Sequence, residues 1–288
     1  MLQVARLAPR HLDSAAERIE SFLRENFHED GGGIDRAGES DLYYTVFTLE
    51  GLVALQAELP IDNTVRYLSK FGDGADLDLV HLTCLARCWA AMPRDSVDAE
   101  TKSLMARNLE RFRSTDGGFH SEPGAENGTA YHGFLGLGAY QDLGLECQNV
   151  AALADSVESL RSSDGAFAKI PGQTVGSTTV SAAAVTMLRQ LGRSAPAEVG
   201  PWLLERVHPE GGGFLAAPQA PLPDLLSTAT ALHALSGMQV DFEAVREPCL
   251  DFLDSLWTGK AFCGHWADDV TDSEYTFYAL LALGHLSV

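Results

Sequence analysis

Two groups of side chains in this 288-residue chain have types and spacings that could do chemistry. His81, Cys84 and Cys88 fall at i, i+3 and i+7, so on a helix they share one face where imidazole and thiolate could hold a soft metal. No fourth ligand can be named for such a site, and cysteine in a packed helix is otherwise a small apolar residue. Asp268, Asp269, Asp272 and Glu274 form an acidic group that a closed architecture would bring beside Asp41. Carboxylates grouped in this way bind Mg²⁺ or a cationic substrate, or are solvated loop acids with one helix cap among them. Tyr131, His132 and His233 lie in apolar runs and read as pocket-wall or core residues. Neither a phosphate loop nor a nucleophile elbow is present, so nucleotide chemistry has no foothold.

The elements that must position these residues repeat. Six segments begin Asp41-Leu-Tyr-Tyr, Asp78-Leu-Val-His, Asn127-Gly-Thr-Ala, Ser177-Thr-Thr-Val, Asp224-Leu-Leu-Ser and Asp272-Ser-Glu-Tyr. Each opens on a residue whose side chain accepts a hydrogen bond from the free amides of a helix's first turn, and each continues apolar on nearly every face. Glycine turns precede most of them: Gly31 to Gly33, Asp116-Gly-Gly-Phe119, Asp164-Gly-Ala-Phe167, Gly211-Gly-Gly-Phe214 and Gly264-His-Trp266. Before the turns run amphipathic stretches, such as Asp13 to Phe27 and Asp98 to Arg113. The second unit departs from this pattern, being short and carrying Phe71-Gly-Asp-Gly74.

Apolar inner helices must be shielded, and a ring of outer helices around a ring of inner ones does this without polar capping repeats. The pattern therefore predicts an all-α fold, an α/α toroid of six helical hairpins with about twelve helices, as a single domain over residues 1–288.

Composition narrows the partners. A formal net charge of −20 repels phosphate backbones and anionic lipid, which argues against nucleic acid. No apolar run reaches the roughly 20 residues of a membrane span, and the first residues lack a signal-peptide core. Five dispersed cysteines do not form a secreted disulfide framework. The expectation is a soluble, cytoplasmic protein with reduced thiols.

Trp202-Leu-Leu-Glu-Arg-Val-His-Pro-Glu-Gly-Gly-Gly-Phe214, running on to Leu222-Pro-Asp224, resembles the β-subunit of Rab geranylgeranyltransferase. Gly32-Gly-Ile-Asp-Arg-Ala-Gly-Glu-Ser-Asp-Leu-Tyr-Tyr-Thr45 resembles the last repeat of the farnesyltransferase β-subunit. The resemblance to protein prenyltransferases and terpenoid cyclases spans the chain. It implies a central cavity for an isoprenoid or other lipophilic molecule, lined here by Tyr43, Tyr44, Phe47, Tyr131, Phe134, Tyr275 and Phe277. A helical protein partner is a further implication.

The family's zinc is held by an Asp, a Cys two residues on, and a His on the next inner helix, and it activates the acceptor thiolate. The matching positions hold Asp224, Leu226 and Tyr275, so zinc is not expected and no metal or other cofactor is implied. The family's diphosphate-binding positions hold Pro218, Pro221, Ser227 and Asn127, none of them charged. The cyclase branch instead protonates an alkene with the middle acid of an Asp-x-Asp-Asp motif. Asp76-Leu-Asp78-Leu79 keeps its first two acids, which makes Asp78 the candidate proton donor with Asp76 beside it. The alternatives are that Asp78 simply caps its helix, and that the ring is a non-catalytic interaction protein.

Overall fold

The computed structural model describes residues 1–287. Two short helices, α1 (Leu2–Ala5) and α2 (Pro9–Leu12), precede six outer–inner pairs: α3 (Ala15–Glu25) with α4 (Leu42–Ala54), α5 (Ile61–Leu68) with α6 (Leu79–Ala91), α7 (Ala99–Leu109) with α8 (Ala130–Leu143), α9 (Val150–Glu158) with α10 (Thr178–Gln190), α11 (Val199–Leu204) with α12 (Leu225–Gly237), and α13 (Glu243–Ser255) with α14 (Ser273–Leu286). The inner helices begin where capping chemistry starts them. Asp41, Asp78, Asp224 and Asp272 accept from the amides of Tyr44, His81, Ser227 and Tyr275 at 2.7–3.1 Å.

The third cap is Thr129, not Asn127. Asp116 draws the Gly128 amide onto its carboxylate at 3.1 Å, which keeps that dipeptide in the loop, and the His132 amide bonds Thr129 Oγ1 instead. Ser177 holds the fourth cap position without a side-chain cap bond.

A hydroxyl four residues past the cap ties four of the six inner helices to the turn before them. Thr45, Ser181, Thr228 and Thr276 accept from the amides of Gly33, Phe167, Phe214 and Phe262 at 2.7, 3.1, 2.8 and 3.4 Å. The sixth turn is therefore made by Gly259, at φ +94°, and plugged by Phe262, and not by Gly264-His-Trp266. Short antiparallel ladders complete two of the joints, β1 (Gly33–Ile34) with β2 (Ser40–Asp41) and β3 (Phe214–Leu215) with β4 (Pro223–Asp224). At Gly212, φ +63° and the approach of the Pro248 carbonyl oxygen leave no room for a Cβ.

Each inner helix packs on the next from α4 round to α14, and α14 packs back on α4, so the ring closes. The seam carries its own clasp. Arg36, between β1 and β2, donates from Nε to Asp272 at 2.7 Å and from Nη2 to Asp268 at 2.9 Å, with its guanidinium 5.5 Å from the Tyr275 ring centre. Helix α1 packs on α14 and α4. Among the described residues no helix is long and apolar enough to cross a membrane.

Candidate functional site

On an α-helix, residues two, six and nine places after the cap fall on one stripe. Those stripes are Tyr43–Phe47–Glu50 on α4, Val80–Cys84–Arg87 on α6, Tyr131–Leu135–Gly138 on α8, Thr179–Ala183–Thr186 on α10 and Leu226–Thr230–His233 on α12, and all of them line one central cavity of about 720 Å³. The sixth inner helix adds Phe277 and Tyr278.

Of the aromatic residues expected in the wall, Tyr43, Phe47, Tyr131, Phe134 and Phe277 line the cavity. Phe47 is the centre of the group, with ring centres of Tyr43, Tyr278 and Phe277 at 4.9, 5.5 and 5.9 Å. Tyr44 and Tyr275 do not line it. Tyr44 packs edge-on to Tyr43, and Tyr275 lies under Arg36 against Gly264. The Tyr43 hydroxyl donates to Glu274 at 2.6 Å, and burial raises the pKa of both groups.

Asp76 and Asp78 do not line the cavity, and both are exposed. Asp78 caps α6 while His81 Nδ1 stands 2.9 Å from both of its oxygens. Partial burial is the largest single influence and pushes its pKa up, but the amide and ring of His81 outweigh it and the net shift is down. This is the setting of an ionised cap rather than of a protonated acid.

His81 itself reaches across to Asp41 with Nε2 at 3.1 Å, and its pKa is raised to about 9, first by Asp41 and then by Asp78 against the opposing effect of burial. A raised folded-state value means the staple's stabilisation is complete below the unfolded value of about 6.5 and is lost as pH rises through 9. With the imidazole 36% exposed, the loss should stay under about 1 kcal/mol. His81→Gln is expected to abolish this part of the pH dependence, which urea midpoints of both proteins at pH 6 and 9.5 would show; an unchanged slope would count against the staple.

Because both ring nitrogens of His81 face carboxylates, it does not join Cys84 and Cys88 in a metal site. The acidic group is likewise divided, with Asp268 and Asp272 on Arg36, Glu274 on Tyr43 and Asp41 on His81. Among the described residues no group of three His, Cys, Asp or Glu could hold a metal ion. Zinc at the family position does not fit either: both Asp224 oxygens accept from Ser227 at 2.7 Å, Leu226 offers no donor atom, and Tyr275 lies against Gly264.

One polar feature in the wall was not singled out from the sequence. Arg87 bridges Glu50 and Asp142, with Nη1 2.9 Å from Asp142 Oδ1 and Nε bonded to Glu50. Burial pushes the Asp142 carboxyl up to about 6 in spite of the guanidinium beside it. His233, read as a wall residue, bonds His285 at 3.0 Å; burial drives the two rings down to about 3 and about 4, so both are neutral at pH 7.

The chain is similar to solved toroids along its whole length. With the type II terpene cyclase MstE from Scytonema it shares 13% identity at a TM-score of 0.62, covering 96% of this chain and 97% of that one. A variant of MstE in complex with geranylgeranyl dihydroxybenzoate, its substrate, gives 12% and 0.61 over 97% of each chain. The Candida albicans protein geranylgeranyltransferase-I complexed with GGPP gives 12% and 0.52 over 97% of this chain and 80% of that one. No curated protein matches the chain. At these identities the likeness establishes the fold alone. The prenyltransferase alpha-alpha toroid domain is matched over residues 9–84, 69–215 and 198–287, and the chain belongs to that family.

Proposed function

We propose that the central cavity binds an isoprenoid or a similar lipophilic chain, on a toroid that does not use the zinc and diphosphate chemistry of the protein prenyltransferases. The observation that carries this reading is the cavity itself. Its volume of about 720 Å³ falls within the ~300–1,000 Å³ of small-molecule sites, and Tyr43, Phe47, Tyr131, Phe134, Phe277 and Tyr278 give it aromatic walls. Such walls suit a flexible unsaturated chain, which gains dispersion contacts along its length. Similar toroids solved with geranylgeranyl dihydroxybenzoate and with GGPP support it. An acid-initiated cyclisation through Asp78 gains no support from that residue's exposed, ionised setting.

Filling the cavity tests the reading. Ala183 lies in the wall on α10, where an indole would project into the lumen. Ala183→Trp is expected to weaken binding of the C20 alcohol geranylgeraniol by at least about tenfold while the far-ultraviolet circular dichroism stays that of the wild type. Equal binding by the two folded proteins would refute the cavity as the binding place.

A further inference from the structure

The cavity is not uniform along its axis. Near the start of the inner helices its wall is aromatic, whereas near their ends Glu50, Arg87 and Asp142 converge from α4, α6 and α8. Arg87 spends Nε on Glu50 and Nη1 on Asp142, and Nη2 has no protein partner among the described residues. Its side chain keeps 37% of its surface open, against 10% and 12% for the two acids. Asp142 uses only Oδ1, which leaves Oδ2 as an unspent acceptor. In the cavity wall the Arg87 Nη2 donors and the carboxylate oxygens Asp142 Oδ2 and Glu50 Oε2 are thus without protein partners among the described residues.

Charge decides which head group such a pair accepts. Two carboxylates around one guanidinium carry −1 when ionised, and the Met1 ammonium, in the same wall and coupled to Arg87 and Glu50, brings the group to neutrality, so no net positive charge is left to offset the desolvation of an anionic head. A cationic head is opposed by the guanidinium at contact distance. A plain hydrocarbon end would cover Arg87 Nη2 and leave it without water or partner, which costs more than the contact returns. A hydroxyl engages both groups at once, accepting from one Nη2 N–H and donating to Asp142 Oδ2.

We propose that Arg87 and Asp142, held by Glu50, form a head-group site for a neutral, hydroxyl-bearing lipid whose chain lies along the aromatic part of the cavity. This assignment rests on the lipid-binding reading above and adds polarity and direction to it: the hydroxyl sits toward the ends of the inner helices, away from Lys169 in the loop before α10.

Binding of four C20 ligands to the purified wild-type protein, delivered from cyclodextrin and counted by mass spectrometry, tests the assignment. The ligands are geranylgeraniol, the hydrocarbon lacking its hydroxyl, geranylgeranyl amine and geranylgeranyl diphosphate. The alcohol is expected to bind at least about tenfold tighter than each of the others, the advantage of hydrogen bonds to charged groups. Asp142→Asn, which keeps the acceptor for Arg87 and removes the acceptor for the ligand, is expected to bring alcohol and hydrocarbon within about threefold of each other. Should that variant not fold, the wild-type ratios decide alone. Alcohol and hydrocarbon binding equally to the wild type, or amine or diphosphate binding tightest, would overturn the head-group site and leave the lipid cavity standing. Failure of all four to bind would remove the cavity reading and this one with it.

Discussion

Phe214→Ala is expected to lower the stability of the protein by about 3–5 kcal/mol. Phe214 is fully buried, and its ring plugs the joint between the fifth turn and α12. Its backbone amide is also fixed, donating to Thr228 Oγ1 at 2.8 Å, so the chain cannot slide to fill the space that a lost ring would leave. A rigid cavity gives the upper part of the range for an aromatic-to-alanine change. Urea denaturation of the variant against the wild type measures it, with Ile170→Ala, at a side chain 56% exposed, as the control expected to stay within about 0.5 kcal/mol. A loss below about 1 kcal/mol at Phe214 would show that the joint repacks.

Arg87→Met carries the second large effect. Removing the guanidinium leaves Glu50 and Asp142 facing each other, nearly buried and without the cation that bridged them, which costs about 3–5 kcal/mol. The cost depends on pH in a direction that Asp142 sets. In the wild type its folded value of about 6 exceeds the unfolded 3.8, so its contribution is complete below 3.8 and is lost as pH rises through 6. In the variant the loss of the counter-charge raises that value further, and the carboxyl is neutral over a wider range. The destabilisation should therefore be largest at pH 8, smaller at pH 5, and partly relieved at pH 8 by adding Glu50→Gln. Urea midpoints at the two pH values read this out; an equal loss at both would place the effect in packing rather than in charge.

The toroid was legible in the sequence because five of the six inner helices announce themselves twice, by an Asp or Ser at the cap position and by an apolar run too continuous for a surface helix. The exceptions have local causes. Asn127 has the right chemistry for a cap, but Asp116 holds the amide of Gly128, 12 residues on in the chain, and only the folded loop reveals that competition. Gly264-His-Trp266 imitates the glycine-aromatic turn, while the Thr276 bond to the Phe262 amide fixes the turn nearer the outer helix.

The cavity wall was only half legible. Picking aromatic residues near each cap found Tyr43, Phe47, Tyr131, Phe134 and Phe277 but also took Tyr44 and Tyr275, which sit about 100° round the helix from the inward stripe. Counting two, six and nine places from each cap would have excluded both, but with them Phe134 and Phe277, which do line the wall. It would also have found Tyr278, six places after Asp272, together with Glu50 and Arg87. Asp142 escapes even that count, because its role comes from Arg87 reaching it from the neighbouring helix.

The seam between the last unit and the first has one further consequence. Arg36 with Asp272 and Tyr43 with Glu274 join groups more than 200 positions apart, so an array that would otherwise be open has no outermost member. In a linear stack each end unit has one neighbour instead of two, and fraying starts there. Closure gives the first and sixth units the same two-sided support as the third and fourth, so local opening has no preferred starting point along the chain.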